Sequence, residues 1–382
     1  MKTMVTSILF RAGEGGYSVH RIPTLLAMAR GVVLASIEAR RGLGGDWDRN
    51  DILWRRSTDG GRTFGEPKIL AAASSYGPGP VSNLVLIDDP AAGCVHGLFC
   101  HNYASVFHMK SLDEGVSFST PREITAAGEE LRRAYPWKVI AVGPGHGLRL
   151  SDGRLIVPLW MSDGSGTEFG PGKLGHRPSV VAGLYSDDGG ESWQAADIMA
   201  RHGQTVPYRS GAATIVNPSE TIPLELSDGR VLFNIRSESA PHKRLVSVSP
   251  DGASGWSEPR FDEELLEPVC MASIVRARPS GAVVFVNPDN LEHAFGDPTR
   301  VGCDRKRLTA KLSADDGKTW THARLLEEGP SSYSDLAALP DDGLLCLYEA
   351  GGSGPAGDDR HVTLARFDVA WIQGGTGCKS SV

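Results

Sequence analysis

The stretch RRSTDGGRTF, Arg55 to Phe64, is written again as SLDEGVSF at Ser111–Phe118, as SDDGGESW at Ser186–Trp193 and as SADDGKTW at Ser313–Trp320. A degraded copy, SPDGASGW, stands at Ser249–Trp256. Successive copies lie roughly 55 to 75 residues apart, a period that suits four-stranded propeller blades with variable loops. Each follows a β-rich run: NDILWRR, VFHMK, VVAGLY, LVSVS and RLTAKL. The shared pattern, Ser-x-Asp-x-Gly-x-Ser/Thr-aromatic, reads as a hairpin turn. Its Asp accepts hydrogen bonds from backbone N–H groups just ahead, the Gly takes a positive φ, and the closing aromatic packs beneath. These aspartates are expected to staple sheets and not to perform chemistry, because a turn residue that recurs in every copy has the same task in each.

The same grammar continues elsewhere. DGRLIVPLW at Asp152, DGRVLFNIR at Asp228 and DDGLLCLYE at Asp341 are each a DG turn leading into an apolar strand. No long amphipathic helix pattern competes with them, and no linker separates domains. The Gly-rich segment Met161–Pro178 reads as a long loop on one face. MVTSILF near the N-terminus and HVTLARFDV at His361–Val369 suit a pairing that closes the first strand on the last sheet. The expectation is an all-β fold in a single domain over residues 1–382.

Composition narrows the function. The chain has 382 residues, 40% hydrophobic and 22% charged, enough apolar material for a substantial core. Its 46 glycines and 24 prolines favour tight turns over long helices. A formal charge of -7 argues against nucleic acid or an anionic membrane as the main partner. Cys94, Cys100, Cys270, Cys303, Cys346 and Cys378 form no CxxC pair and read as free thiols. His20, His101, His108 and His146 lack metal-ligand spacing, so neither a metal nor another cofactor is expected. The GPG at Gly143–Gly145 precedes no helix pattern and is no phosphate loop. MKTMVTSILF is too short for a convincing signal peptide, and no segment has the length of a membrane span, so a cytoplasmic protein without membrane insertion is expected, with export left open.

The residues that stand out lie outside the turns. Arg21 in HRIPTL, Arg236 in NIRSES, and Arg305 and Arg307 in DRKRLTAKL each sit near a strand end. Taken singly, each suits a surface arginine covering apolar area. Three that converge would grip a carboxylate by paired charge-assisted bonds, which fits an anionic sugar or acid.

Longer stretches carry a more specific signal. RIPTL, IEARRGLGGDWDRNDILWRRSTDGG, GPGHGLRLSDGRLIVP, SETIPLELSDGRVLFNIRS and SSYSDLAALPDDGLLCLYE occur in this order from about residue 10 to 370. In these stretches the chain resembles the bacterial-type exo-α-sialidases (neuraminidases), six-bladed β-propellers with Asp-box (BNR) repeats and an arginine triad. The resemblance implies that Arg21, Arg236 and Arg305 clamp a substrate carboxylate, Arg305 being preferred to Arg307 because it stands three residues before the strand leucine. It implies Asp46 as general acid/base, on a loop after Arg41, with Arg41 beside it in the pocket; Asp48 is the alternative. Tyr333 would be the nucleophile, Glu220 the base that activates it, and Glu349 the partner that holds Arg21.

The chemistry agrees with that assignment. A sialoside carries a carboxylate on its reacting carbon, so an incoming Asp or Glu meets like charge, whereas a neutral phenol does not until its proton is taken. Sialidases with a tyrosine nucleophile are a known exception to two-carboxylate glycosidase chemistry. The implied function is retaining hydrolysis of terminal α-linked sialic acid from a glycan partner. A trans-sialidase, or a hydrolase of a related nonulosonic acid, would keep the same residues and differ in loops such as Met161–Pro178 and Asn287–Cys303. A non-catalytic glycan-binding propeller would not need Asp46, Glu220 and Tyr333 together.

Overall fold

The computed structural model describes residues 3–42, 44–293, 302–352 and 360–377. Part of the Asn287–Cys303 loop, and Cys378, lie outside them. The architecture is all-β, as the turn grammar requires. Among the described residues the one α-helix is the short Val369–Gln373, started by Asp368, whose carboxylate accepts from the Trp371 amide at 2.7 Å. By contact density the chain divides into two compact units, Met1–Ala71 with Glu264–Val382, and Ala72–Glu263.

The first unit holds two antiparallel sheets. One runs in chain order through Val19–Ala27, Val33–Arg40, Asn50–Ser57 and Lys68–Ala71. The other has eight strands, and its organising member is the 17-residue strand His322–Ala338. The first half of that strand pairs with Lys306–Ser313, and its second half pairs with Gly343–Ala350. It is thereby shared by two four-stranded groups. The N-terminal strand Val5–Arg11 pairs antiparallel with His361–Asp368, from Val5 opposite Arg366 to Arg11 opposite His361. Leu344, Cys346, Tyr348, Leu336 and Phe367 pack one side of this sheet, and Leu345, Leu347, Leu364 and Ala337 pack the other against Leu25, Val33, Ala35 and Ile37. Near-continuous apolar strands such as GLLCLYEA follow from burial on both faces.

The second unit contains a sheet built around Val81–Asp89, Cys94–His101 and Ser105–Ser111, and another around Leu155–Ser162 and Ser179–Ser186. A two-stranded hairpin, Thr205–Tyr208 with Gly211–Thr214, comes next. Thr221–Glu225, Val231–Ile235 and Lys243–Ser249 then begin a four-stranded sheet completed by Arg260–Leu266. The Met161–Pro178 segment has no strand after Ser162.

The repeated turns behave as their sequence predicts. Asp59 accepts from Ser57 Oγ at 2.7 Å, from the amides of Arg62 and Thr63 at 2.9 Å each, and from Thr63 Oγ1 at 2.6 Å. Asp113, Asp188 and Asp315 repeat the Ser and Ser/Thr contacts. Donation to the ionised form holds these acids down, Asp113 and Asp188 to about 2. A carboxylate with its acceptor sites committed in this way is a poor proton carrier. Trp193 and Trp320 close their turns in buried positions, Trp320 against Phe285 at 5.7 Å.

One polar pair lies inside the second unit. His96 Nδ1 and His108 Nε2 are 3.1 Å apart on neighbouring strands, with stacked rings. Burial, and then the positive charge of Lys110, push His96 down to about 4; burial and His96 itself push His108 down to about 3. Both rings are neutral in the fold, while an unfolded histidine titrates near 6.5. Their contribution to stability is complete above pH 6.5 and declines as pH falls towards 4, a loss on the order of a few kcal/mol. The urea midpoint of the protein is expected to drop between pH 7 and pH 4.5, and to drop less in a His96→Gln, His108→Gln double variant. An identical decline in both proteins would contradict this account.

Candidate active site

Pro23 has no N–H to give to a ladder, and the chain accommodates it with a bulge. On the Val19–Ala27 strand, Arg21 faces Glu38 and Thr24 faces Ser36, so Ile22 and Pro23 together oppose one residue. Ile22 consequently sits at φ 55°, a conformation costly for a β-branched residue. Its amide points to Glu349 Oε1 at 2.8 Å. Arg21 Nε and Nη2 approach Glu349 Oε2 at 3.4 and 3.3 Å. Burial works against the Arg21 charge, but Glu349 first, then Tyr333 and Asp46, outweigh it together with repulsion from Arg40. The guanidinium is held above its ordinary value.

A second bulge faces the first. Ser331 pairs with Ala350 and Ser334 with Tyr348, which leaves Ser332 and Tyr333 opposite Glu349 alone. The extra residue re-aims Tyr333 out of the regular alternation. Its ring, 6% exposed, packs on Ile22, Cys270 and Met271. The Arg21 guanidinium stands 5.1 Å from the ring centroid and that of Arg305 stands 5.2 Å from it. Arg305 is anchored through Nη2 to the Val269 carbonyl at 2.7 Å and through Nη1 to Ser332 Oγ at 3.2 Å. Arg307, at φ 61°, is exposed. Two residues past Tyr333, buried Asp335 accepts from the Leu25 amide at 2.8 Å and from Ser273 Oγ at 2.9 Å, tying the Arg21 strand to the Tyr333 strand. A cavity of about 290 Å³ opens here, lined by Arg21, Gly44, Arg305, Ser332, Glu349 and Arg360 among others.

Asp46 is reached by a residue that the sequence reading passed over. Arg40 Nη1 donates to Asp46 Oδ1 at 2.6 Å and to the Gly44 carbonyl at 3.1 Å. Arg41, expected beside Asp46, instead donates from Nη2 to Asp51 at 3.2 Å and lies over the Tyr17 ring at 4.3 Å. The difference is strand parity: consecutive side chains leave opposite faces, so only one of two adjacent arginines can turn inward. Arg40 shares its face with Glu38, which lies opposite Arg21 in the ladder. That alternation was the available signal, once the Arg21 strand was paired with VLASIEAR. Asp48 accepts from the Gly45 amide at 2.8 Å, a turn contact within the same loop.

Glu220 and Arg236 are found in the second unit as a pair of their own. Thr221 faces Ile235 in the ladder, and the next pair outward joins through Arg236 N to Glu220 O at 3.0 Å. Their side chains meet at 2.5 Å between Arg236 Nη1 and Glu220 Oε2. The structure thus brings Arg21, Arg305, Tyr333 and Glu349 together, ties Asp46 to Arg40, and joins Glu220 to Arg236.

The chain resembles known proteins over most of its length. Residues 97–347 match the family model described as a BNR repeat-like domain. A sialidase of Micromonospora viridifaciens is 30% identical over 95% of this chain, and the chain spans about half that relative's length, 53%. Human sialidase-3 is 26% identical over 90% of the chain and 89% of its own length. Among solved structures, the Hadza microbial sialidase Hz136 shares the fold, with a TM-score of 0.75 and 23% identity over 96% of this chain and 69% of that one. The chain therefore belongs to the BNR repeat-like family, and its relatives over nearly its whole length are sialidases.

Proposed function

We propose that this protein is a retaining exo-α-sialidase that removes terminal α-linked sialic acid from glycoconjugates, built as a single six-bladed propeller. The observation that supports the reading most is the pair of guanidinium groups 5.1 and 5.2 Å from the Tyr333 ring centroid, both lining a cavity of sugar size. In support of the blade count, the eight-stranded sheet divides at His322–Ala338 into two groups of four that share this strand, with Thr376–Gly377 off the main path. Together with the four other sheets larger than a hairpin, this makes six of blade size among the described residues.

In this reading Arg21, Arg305 and Arg236 bind the substrate carboxylate, and Glu349 keeps Arg21 charged and oriented. Glu220 takes the phenolic proton as Tyr333 Oη bonds to the anomeric carbon, while the glycosidic C–O bond breaks and the leaving oxygen takes the proton of Asp46. Water then attacks the same carbon and gives its proton to Asp46, and the departing phenolate recovers its proton from Glu220. The sugar is inverted twice, so its configuration is retained. Negative charge developing on the phenol oxygen is stabilised by the two cations beside the ring. Arg40 takes the place beside Asp46 that the sequence reading gave to Arg41.

Tyr333→Phe is expected to lower kcat on a fluorogenic α-sialoside by roughly a thousandfold or more, because no atom remains to form the covalent bond. Wild-type protein that is inert on sialosides would point to a binding propeller. In proton NMR of the reaction, the first sialic acid released is expected to be the α anomer; β anomer appearing first would rule out the double displacement. Arg21→Lys should weaken carboxylate binding by about 2 kcal/mol, roughly thirtyfold in kcat/KM, since an ammonium replaces a two-pronged fork. An unchanged kcat/KM would remove Arg21 from the clamp.

A further inference from the structure

Arg40 and Glu38 are each 1% exposed, and no step of the reaction above uses Glu38. Burying a charged pair is expensive unless nearly every donor finds an acceptor. Arg40 Nε and Nη2 both donate to Glu38 Oε2, at 3.1 and 2.8 Å, and Nη1 reaches out to the loop, where it donates to Gly44 O and Asp46 Oδ1. One side of the fork is anchored inside the sheet. The other carries the loop.

That loop carries Asp46. It joins Val33–Arg40 to Asn50–Ser57 through glycines, Gly42 and Gly44 at positive φ, and the Asp46 side chain is 32% exposed. The charged groups near it include Arg40 in contact, Arg21 across the ladder with Glu349 and Tyr333 behind it, Asp48 in the loop, and Arg41 paired with Asp51. Arg21 and Arg40 both favour an ionised Asp46, whereas the first step of hydrolysis needs its proton. Glu38, opposite Arg21 and sharing a face with Arg40, is the carboxylate that offsets these cations from inside the sheet.

We propose that Glu38 is a positioning residue for proton transfer: it locks the Arg40 fork and shares its charge, so that Asp46 is held at the leaving group and can still carry a proton. The proposal rests on Asp46 being the general acid, and it adds that proton donation depends on a carboxylate that never meets the substrate. Removing the Glu38 charge leaves more of the Arg40 charge acting on Asp46. The departure of a leaving group that needs protonation then suffers, while attack by Tyr333 does not.

The test compares two sialosides on one preparation, so that any change in the folded fraction cancels from the ratio. One carries a sugar leaving group that requires a proton; the other carries a nitrophenol that departs without one. Asp46→Ala should depress kcat/KM on the sugar-linked substrate far more than on the aryl one. Glu38→Gln should do the same to a lesser degree, roughly tenfold in the ratio, and Glu38→Asp should recover part of it. If Glu38→Gln does not fold, Glu38→Asp carries the comparison, with a smaller shift in the same direction expected. Equal losses on both substrates in the Glu38 variants, with Asp46→Ala still discriminating, would make Glu38 purely structural and overturn the proposal. No discrimination by Asp46→Ala would instead remove the acid role of Asp46, and the proposal with it.

Discussion

One carboxylate closes the geometry of the first unit. Glu349 gives one oxygen to the Ile22 amide and the other to Arg21, so it satisfies at once a backbone group in an unfavourable conformation and a guanidinium only 24% exposed. Each would be costly alone: an orphaned buried amide forfeits about 1–3 kcal/mol, and an unpaired buried charge more. Together they let a strand leave its regular path beside Pro23 and hold the new one. The bulge at Ser332–Tyr333 sits opposite the same residue, so both departures from the ladder meet at one point. A continuous pleat would have kept Arg21 and Tyr333 in strict alternation with their neighbours. The bulges are what bring a ring beside two cations.

The fold separates three uses of the same side chain. The turn aspartates accept from three or four donors within their own hairpin, which stabilises their charge and leaves them nothing to exchange. Asp46 is different because an arginine reaches it from the sheet, through Arg40 Nη1 to Oδ1 at 2.6 Å, and its side chain stays 32% exposed. Asp335 is different again: it has no reach to solvent and spends both oxygens on tying strands together. Turn, site and core each set a distinct job for a carboxylate, and the partners, more than the residue type, decide which.

The periodic turns were readable in advance because everything they need is local. Ser57, Asp59, Gly61 and Thr63 bond to one another within seven residues, so RRSTDGGRTF contains its own structure, and its recurrence implies a β architecture before any strand is paired. Apolar runs behind DG turns placed the strands for the same reason. The chemical candidates Arg21, Arg305, Tyr333 and Glu349 were also legible, through motifs held in a family order, and the choice of Arg305 over Arg307 followed from its distance to the strand leucine.

What escaped that reading depends on long-range pairing. Nothing in IEARRGLGGDWD says which arginine of the adjacent pair turns inward; that is settled by the register of Val33–Arg40 against Val19–Ala27, which puts Glu38 opposite Arg21 and Arg40 on the same face. Asp335 likewise looks like an ordinary strand acid until Leu25, 310 residues away, supplies its donor. The amino-acid order sufficed for the class of fold and the turn chemistry, since these rest on contacts between near neighbours, and it named the candidate groups of the site. Which of those groups meet, and which supporting charges stand behind them, was decided by bulges and strand register, because a one-residue shift there sends every side chain to the opposite face.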